Sequence, residues 1–326
     1  MFLGLFVSWE FNLLPGQILT GHDNSPMMMK TDRRFFLKSA ALLGASFACG
    51  SVSRANTHSY FNSFEPAVGV CTGLGNAGML AEMGYSFIEE SVRGFLVPDS
   101  PEEEFLPRLD NARKLKIPVS ACNLFLPGNL KSVGPDAVHD EIMEYAATAF
   151  RRAQLAGVRI IVFGSGGSRR IPEGFHRDDA YRQFVALGRR LAPLASKYNV
   201  TIALEPLNRN ECNFINSLGD GAEIVNAVSH RNYRLLADIY HMAVDGEDPR
   251  NIIRYGNLIK HVHIAEEQGR AAPGTHGEDF GEYFSALATI KFEGGISVES
   301  RWDDMAAQAP SALSEIREQA SQARGL

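Results

Sequence analysis

The sequence predicts one closed (β/α)8 barrel, a TIM barrel, from three observations. Short apolar runs alternate with longer amphipathic stretches about eight times from Ala67 onward. The reactive residues of the second half fall at the carboxyl ends of the runs, where such a barrel places its site. Roughly 270 residues remain once an amino-terminal address is set aside, close to the ~250 typical of the fold.

The strands follow in order: Ala67–Val70, Phe87–Glu89, Val119–Asn123, Ile160–Phe163, Thr201–Glu205, Leu235–Asp238, His261–Ile264 and Ile296–Glu299. Each is brief, rich in Val, Ile or Leu, and ends in polar residues or glycine. Parallel strands buried under helices have this composition. Between them lie helical patterns such as Ala137–Ala156 and Asp179–Tyr198. In the second, Tyr181, Phe184, Val185, Leu187, Leu191 and Leu194 recur at helical spacing. The barrel is expected to occupy residues 60–326 as a single domain.

The amino terminus reads as an address. Thr31-Asp32-Arg33-Arg34-Phe35-Phe36-Leu37-Lys38 is similar to a twin-arginine signature, and Ser39 to Ala48 supply a short apolar run. That run is too short to anchor in a bilayer, and Ser53-Arg54-Ala55 offers a small-residue cleavage site. Residues 30–55 are therefore expected to be a cleavable export signal read by the twin-arginine machinery. The mature protein would then be periplasmic or extracellular. An amphipathic helix of the mature domain is the plainer alternative, and a lipoprotein reading through Cys49 is disfavoured by Ser46. Residues 1–29 fit nothing that follows, and a start at Met27, Met28 or Met29 would suit the signal. They are expected to be untranslated or disordered.

A formal net charge of −6 is the wrong balance for a protein that neutralises nucleic-acid phosphates. Cys71, Cys122 and Cys212 form no CxxC pair, so they are read as small buried hydrophobes rather than a zinc knuckle or disulfide framework.

Four strand ends carry the chemistry. Glu205 ends the fifth strand, Asp238 the sixth and Glu299 the eighth, while His263 lies in the seventh. Three carboxylates converging on one point would repel and raise one another's pKa values. A divalent cation resolves that conflict. Oxygen-rich ligation with one imidazole favours Mn2+ first, with Mg2+ or Co2+ as alternatives, over a structural zinc site. Each residue alone is as well explained as an ion-paired or core group; their convergence makes the site. His261 is expected to face the helix layer, on the argument that alternate strand residues point to opposite sides.

Glu205-Pro206-Leu207-Asn208-Arg209-Asn210-Glu211, Asp238-Ile239-Tyr240-His241-Met242, His261-Val262-His263 and Val298-Glu299-Ser300 together resemble the xylose isomerase-like superfamily. The nearest branch is the ketose 3-epimerases (tagatose and psicose 3-epimerases) and related sugar phosphate isomerase/epimerases. The resemblance spans the mature chain. It implies a single divalent metal on Glu205, Asp238, His263 and Glu299, with Glu205 and Glu299 also acting as the acid/base pair. It implies substrate contacts from Glu211, His241 and Arg270, the last displaced by one residue from the family's position. The reaction implied is proton transfer beside a carbonyl of a small sugar, through an enediolate.

Other segments are weaker signals. Phe163-Gly164-Ser165-Gly166-Gly167-Ser168-Arg169-Arg170 could cradle a phosphate, but the preferred reading is a glycine loop that lets ligand or backbone come close. Asn123-Leu124-Phe125-Leu126-Pro127-Gly128 could form an apolar wall. Residues 273–280 read as a mobile loop, with His276 at the surface. Trp302 and Arg301 could shape the pocket.

Competing functions are an inosose-type dehydratase on the same frame, an endonuclease-IV-like phosphodiesterase and a non-catalytic sugar-binding module. The phosphodiesterase would need several ions and more histidines. The binding module would not require both Glu205 and Glu299. The sugar and the subunit number stay open, with a homo-oligomer among the options.

Overall fold

The computed structural model describes residues 64–324. The expected export signal and the segment before it lie outside the described residues.

Eight strands close into a barrel in chain order, every neighbour parallel. They are β1 (Ala67–Cys71), β2 (Phe87–Ser91), β3 (Val119–Asn123), β4 (Ile160–Phe163), β5 (Thr201–Leu204), β6 (Tyr233–Asp238), β7 (Ile259–Ile264) and β8 (Gly295–Val298). Closure is made by β1 against β8, with Ala67 opposite Gly295 and Val70 opposite Val298. The expected strands all form, differing only at their ends. Glu205 and Glu299 fall one residue past β5 and β8.

The covering helices are α1 (Ala77–Glu82), α2 (Glu102–Ala112), α3 (His139–Ala156), α4 (Gly166–Arg169), α5 (Arg177–Lys197), α6 (Leu218–Val228), α7 (Ile239–Val244), α8 (Arg250–Tyr255), α9 (Gly281–Thr289) and α10 (Met305–Gln322). On α5, Phe184, Leu187 and Leu191 are fully buried, as the apolar stripe required. None of the helices among the described residues is long and apolar enough to cross a membrane.

Strand residues two apart share a face, and this parity divides the molecule. One set packs under the helices as the large core, from Val68 and Ile88 to Ile296 and Val298. The other set lines the barrel's interior. Val162, Ala203 and Leu236 form a small separate cluster there, with Ile160 against it. Low in the interior the Phe87 ring lies where a Cβ on Gly69 would meet it at 2.3 Å and one on Gly295 at 2.8 Å. Both glycines make room for that ring. Register shifts occur where β3 inserts Ser120 opposite the Ile88–Glu89 step and where β7 inserts Lys260 opposite the Leu235–Leu236 step. Such bulges re-aim the side chains beyond them, and the second lies just before His261 and His263.

Candidate active site

The site grows from the interior parity of β5 to β8. Glu205 stands two residues beyond Ala203, Asp238 beyond Leu236, His263 beyond His261 and Glu299 beyond Ser297. One donor atom from each of Glu205, Asp238, His263 and Glu299 can be chosen so that all lie within 4.8 Å of one another. His263 Nδ1 sits 3.0 Å from Glu205 Oε1, 3.2 Å from Glu299 Oε2 and 3.7 Å from Asp238 Oδ2. The four expected residues are therefore brought together.

Local structure explains each placement. Asp238 caps α7: its Oδ1 accepts from His241 N–H at 3.2 Å, which leaves Oδ2 for the site. Oδ2 is buried and has no hydrogen-bond partner. Glu205 packs against Gly164, where a Cβ would fall 2.1 Å from Glu205 Oε2. The glycine loop thus serves close approach, as preferred from the sequence. Its Arg169 is no phosphate ligand; the guanidinium is buried and donates to the carbonyls of Phe163 and Glu205.

Glu299 is held from two sides. Asn123 Nδ2 donates to its Oε1 at 3.0 Å, and Arg270 Nη2 donates to its Oε2 at 2.5 Å. Arg270 also lies 3.4 Å from Glu211 Oε1 and 3.8 Å from Asp238 Oδ2, with its guanidinium over the Tyr240 ring. Left-handed backbone at Gly269 and Arg270 turns this side chain back over β8. Arg270 is therefore a partner of the carboxylate cluster as well as a group at its rim.

His241 lies one helical turn beyond Asp238, with Nε2 3.5 Å from Asp238 Oδ2. Asn208 Oδ1 accepts from the backbone N–H of Asn210 and Glu211, so its amide nitrogen faces His241 Nδ1 at 2.8 Å. Nδ1 accepts that bond, which leaves the proton on Nε2. Nε2 is buried and makes no hydrogen bond, and it faces Asp238 Oδ2 at the site.

The electrostatics are those of a site short of positive charge. Burial raises the Glu205 carboxyl above its ordinary value despite the hydrogen bond from His263. Burial also opposes the charge on Asp238, but the facing imidazoles and Arg270 outweigh it and hold that carboxyl well below the usual range. For His263 burial acts downward, and the carboxylates of Glu89 and Glu299 override it, so the imidazole binds a proton well above its ordinary pKa. Carboxylates gathered this closely around Nδ1 would hold a cation there. The orphaned Asp238 Oδ2 and the oxygen-rich donor set fit a divalent ion of the Mn2+ or Mg2+ kind.

Two residues escaped the sequence reading. Asn123 was seen only as the start of an apolar wall, although it ends β3 and so obeyed the same strand-end rule as the donors. Glu89 is fully buried, and its Oε1 lies 3.1 Å from His263 Nε2. Its Oε2 meets His261 Nε2 at 2.8 Å and accepts from Ser297 Oγ at 2.7 Å. This corrects the expectation for His261: being two residues from His263, it shares that residue's face and points into the barrel. In the segment 273–280, the backbone N–H of His276 and Gly277 donate to the buried Glu266, which also lies 2.7 Å from His276 Nδ1. The other donor group among the described residues, Cys71, Glu89 and His263, shares His263 and commits Glu89 to hydrogen bonds. It supplies no independent second set of ligands.

Fold and site together define a (β/α)8 barrel with a carboxylate–imidazole centre at its strand ends. The chain belongs to the xylose isomerase-like TIM barrel family, whose model matches residues 78–322. It is 34% identical over 117 residues to an L-ribulose 3-epimerase of Methylomonas sp. (strain DH-1), covering 36% of this chain and 41% of that protein. It is 30% identical over 105 residues to a probable ketose 3-epimerase of Synechocystis sp., covering 32% of this chain and 36% of that one. The chain thus spans about two fifths of the length of these curated relatives. Among solved structures, the apo 3-keto-D-glucoside 4-epimerase of E. coli superposes with a TM-score of 0.67 at 20% identity, over 78% of this chain and 100% of that one. That likeness shows the fold.

Proposed function

We propose that this protein is a divalent-metal-dependent epimerase or isomerase of a ketose or related sugar, with Mn2+ its first choice of metal. The observation that carries the proposal is the donor set of Glu205, Asp238, His263 and Glu299, with Asp238 Oδ2 buried at its centre and accepting no hydrogen bond. The related sugar 3-epimerases support the substrate class.

A divalent ion on these four residues would supply Lewis-acid stabilisation of the negative charge that develops on the substrate carbonyl oxygen as the neighbouring carbon loses its proton. Glu205 and Glu299 form the acid/base pair: one takes the proton from carbon and the other returns one from the opposite face. Asn123 and Arg270 hold Glu299 in one orientation. The Nε2–H of His241 donates to a substrate oxygen, and Glu211 and Arg270 at the rim fix hydroxyls. Residues 30–55 are proposed as a twin-arginine export signal, placing the enzyme outside the cytoplasm and favouring an unphosphorylated sugar.

The test is exchange in heavy water. Mn2+-loaded protein incubated with free ketoses should place deuterium at carbon 3. Chelation should abolish the exchange, and Glu205→Gln or Glu299→Gln should slow it by about 10²–10⁴-fold. Absence of exchange with every ketose, together with dehydration of an inosose, would replace the epimerase reading by the lyase one.

A further inference from the structure

We infer that Glu89, on the side of the His263 ring turned away from the carboxylate cluster, is the positioning residue that fixes the His263 imidazole for metal binding. The inference rests on the proposed metal centre.

His263 has two nitrogens in opposite surroundings. Nδ1 faces Glu205, Glu299 and Asp238 at 3.0, 3.2 and 3.7 Å. Nε2 faces Glu89 Oε1 at 3.1 Å. A cation takes an imidazole through a bare nitrogen, so the ring's remaining proton must sit on the other one. With Glu89 accepting at Nε2, the proton stays there and Nδ1 is left to the cation. A carboxylate behind a ligating imidazole fixes both its tautomer and the ring plane.

Glu89 is built to do this. It is fully buried, so no solvent competes for its oxygens. His261 Nε2 at 2.8 Å and Ser297 Oγ at 2.7 Å both bond Oε2, which leaves Oε1 for His263 alone. If His261 donates from Nε2, its Nδ1 is a bare acceptor, and Nδ1 is indeed buried without a partner. A merely structural role would need no such division of the two oxygens. The three groups come from β2, β7 and β8, and Glu89 lies 174 residues from His263 in sequence.

The experiment uses the full chain. Mn2+ affinity is measured by calorimetry for the unaltered protein and Glu89→Gln, and histidine 15N spectra of the Mg2+-loaded proteins report the His263 tautomer. Folding is followed by circular dichroism. Expected is a Mn2+ Kd about 10–100-fold weaker in Glu89→Gln, with loss of the bonded Nε2–H signal of His263. A folded Glu89→Gln protein of lower thermal midpoint but unchanged Kd and tautomer would overturn the inference, because Glu89 would then serve the fold alone. Should Glu89→Gln not fold, Ser297→Ala releases one donor to Oε2 while keeping the carboxylate. It should weaken Mn2+ in the same direction by less, and an unchanged Kd there would overturn the inference too. If the unaltered protein takes up no Mn2+, the metal centre itself fails and this inference with it. A Kd that fails to respond to Glu89 while Mn2+ still binds strikes only the role of Glu89.

Discussion

Beneath β4, β5 and β6 the barrel interior is apolar, with Val162, Ala203 and Leu236 in contact and Ile160 against them. Beneath β7 and β8, facing β2, it holds Glu89, His261 and Ser297, all buried and joined by hydrogen bonds. The two environments meet where Leu236 pairs in register with His261. Glu205 and Asp238 rise from the apolar side, Asp238 held by the α7 amino terminus and Glu205 against Gly164, whereas His263 and Glu299 rise from the polar side, Glu299 held by Asn123 and Arg270. A carboxylate presents two equivalent oxygens, so it needs no partner chosen for its far side. An imidazole has two inequivalent nitrogens, and the polar side supplies an acceptor for the one turned away.

The contrast can be broken most forcefully at Gly164. In Gly164→Ala the new Cβ would lie 2.1 Å from Glu205 Oε2, so the carboxylate must move. Displacement of a reacting group by about 1 Å costs on the order of 10²-fold in rate. Turnover should fall by at least that much while the thermal midpoint changes little; near-normal turnover would mean that Glu205 is not held from this side.

Leu236→Ala and Ser297→Ala sharpen it from below. The first opens a hole in a packed apolar layer and should cost about 2–5 kcal/mol of stability, with Mn2+ affinity near that of the unaltered protein. The second removes one donor to a buried carboxylate, worth about 1.5–3 kcal/mol, and should weaken Mn2+ binding. Chemical denaturation and calorimetry on both variants decide this. Greater loss of affinity in Leu236→Ala than in Ser297→Ala would erase the distinction between the two sides.

The smallest effect lies outside the barrel, where Glu102 on α2 pairs with Arg151 and with the buried Arg152 of α3. Its hydrogen bond from Arg151 leads the causes that lower its carboxyl from 4.5 to about 2. A lowered carboxyl stabilises the fold above its unfolded value and loses that contribution as pH falls through the folded one. The stability gap between the unaltered protein and Glu102→Gln should therefore be full above about pH 4.5 and close on approaching pH 2. The carboxylate is over a third exposed, so screening keeps the gap to about 1 kcal/mol or less. A gap that stayed constant across this range would show that the pair's charge is not what links α2 to α3.

Much of this architecture was legible from local pattern. Strands of the right composition, helical stripes such as that of α5, and donors at the ends of β5 to β8 are properties of short segments, and each appeared where expected. Gly164 too was readable as a point of close approach, though not that Glu205 would be the group approaching. His261 was misplaced although the period of the pleat, applied over two residues, puts it beside His263. Asn123 was overlooked although it stands at a strand end. Those two signals were present in the sequence.

The sequence by itself determined the barrel, the strand-end donors and the face on which each interior residue lies, because periodicity and strand length are written within a few residues. Only the tertiary structure decided that Glu89 would meet His263 across the lumen, that Asn123 and Arg270 would share Glu299, and that Asp238 would keep one oxygen without a partner. Such contacts join segments far apart in the chain. Closure of β8 on β1 and the residues inserted in β3 and β7 bring those segments into register, and no local pattern specifies them.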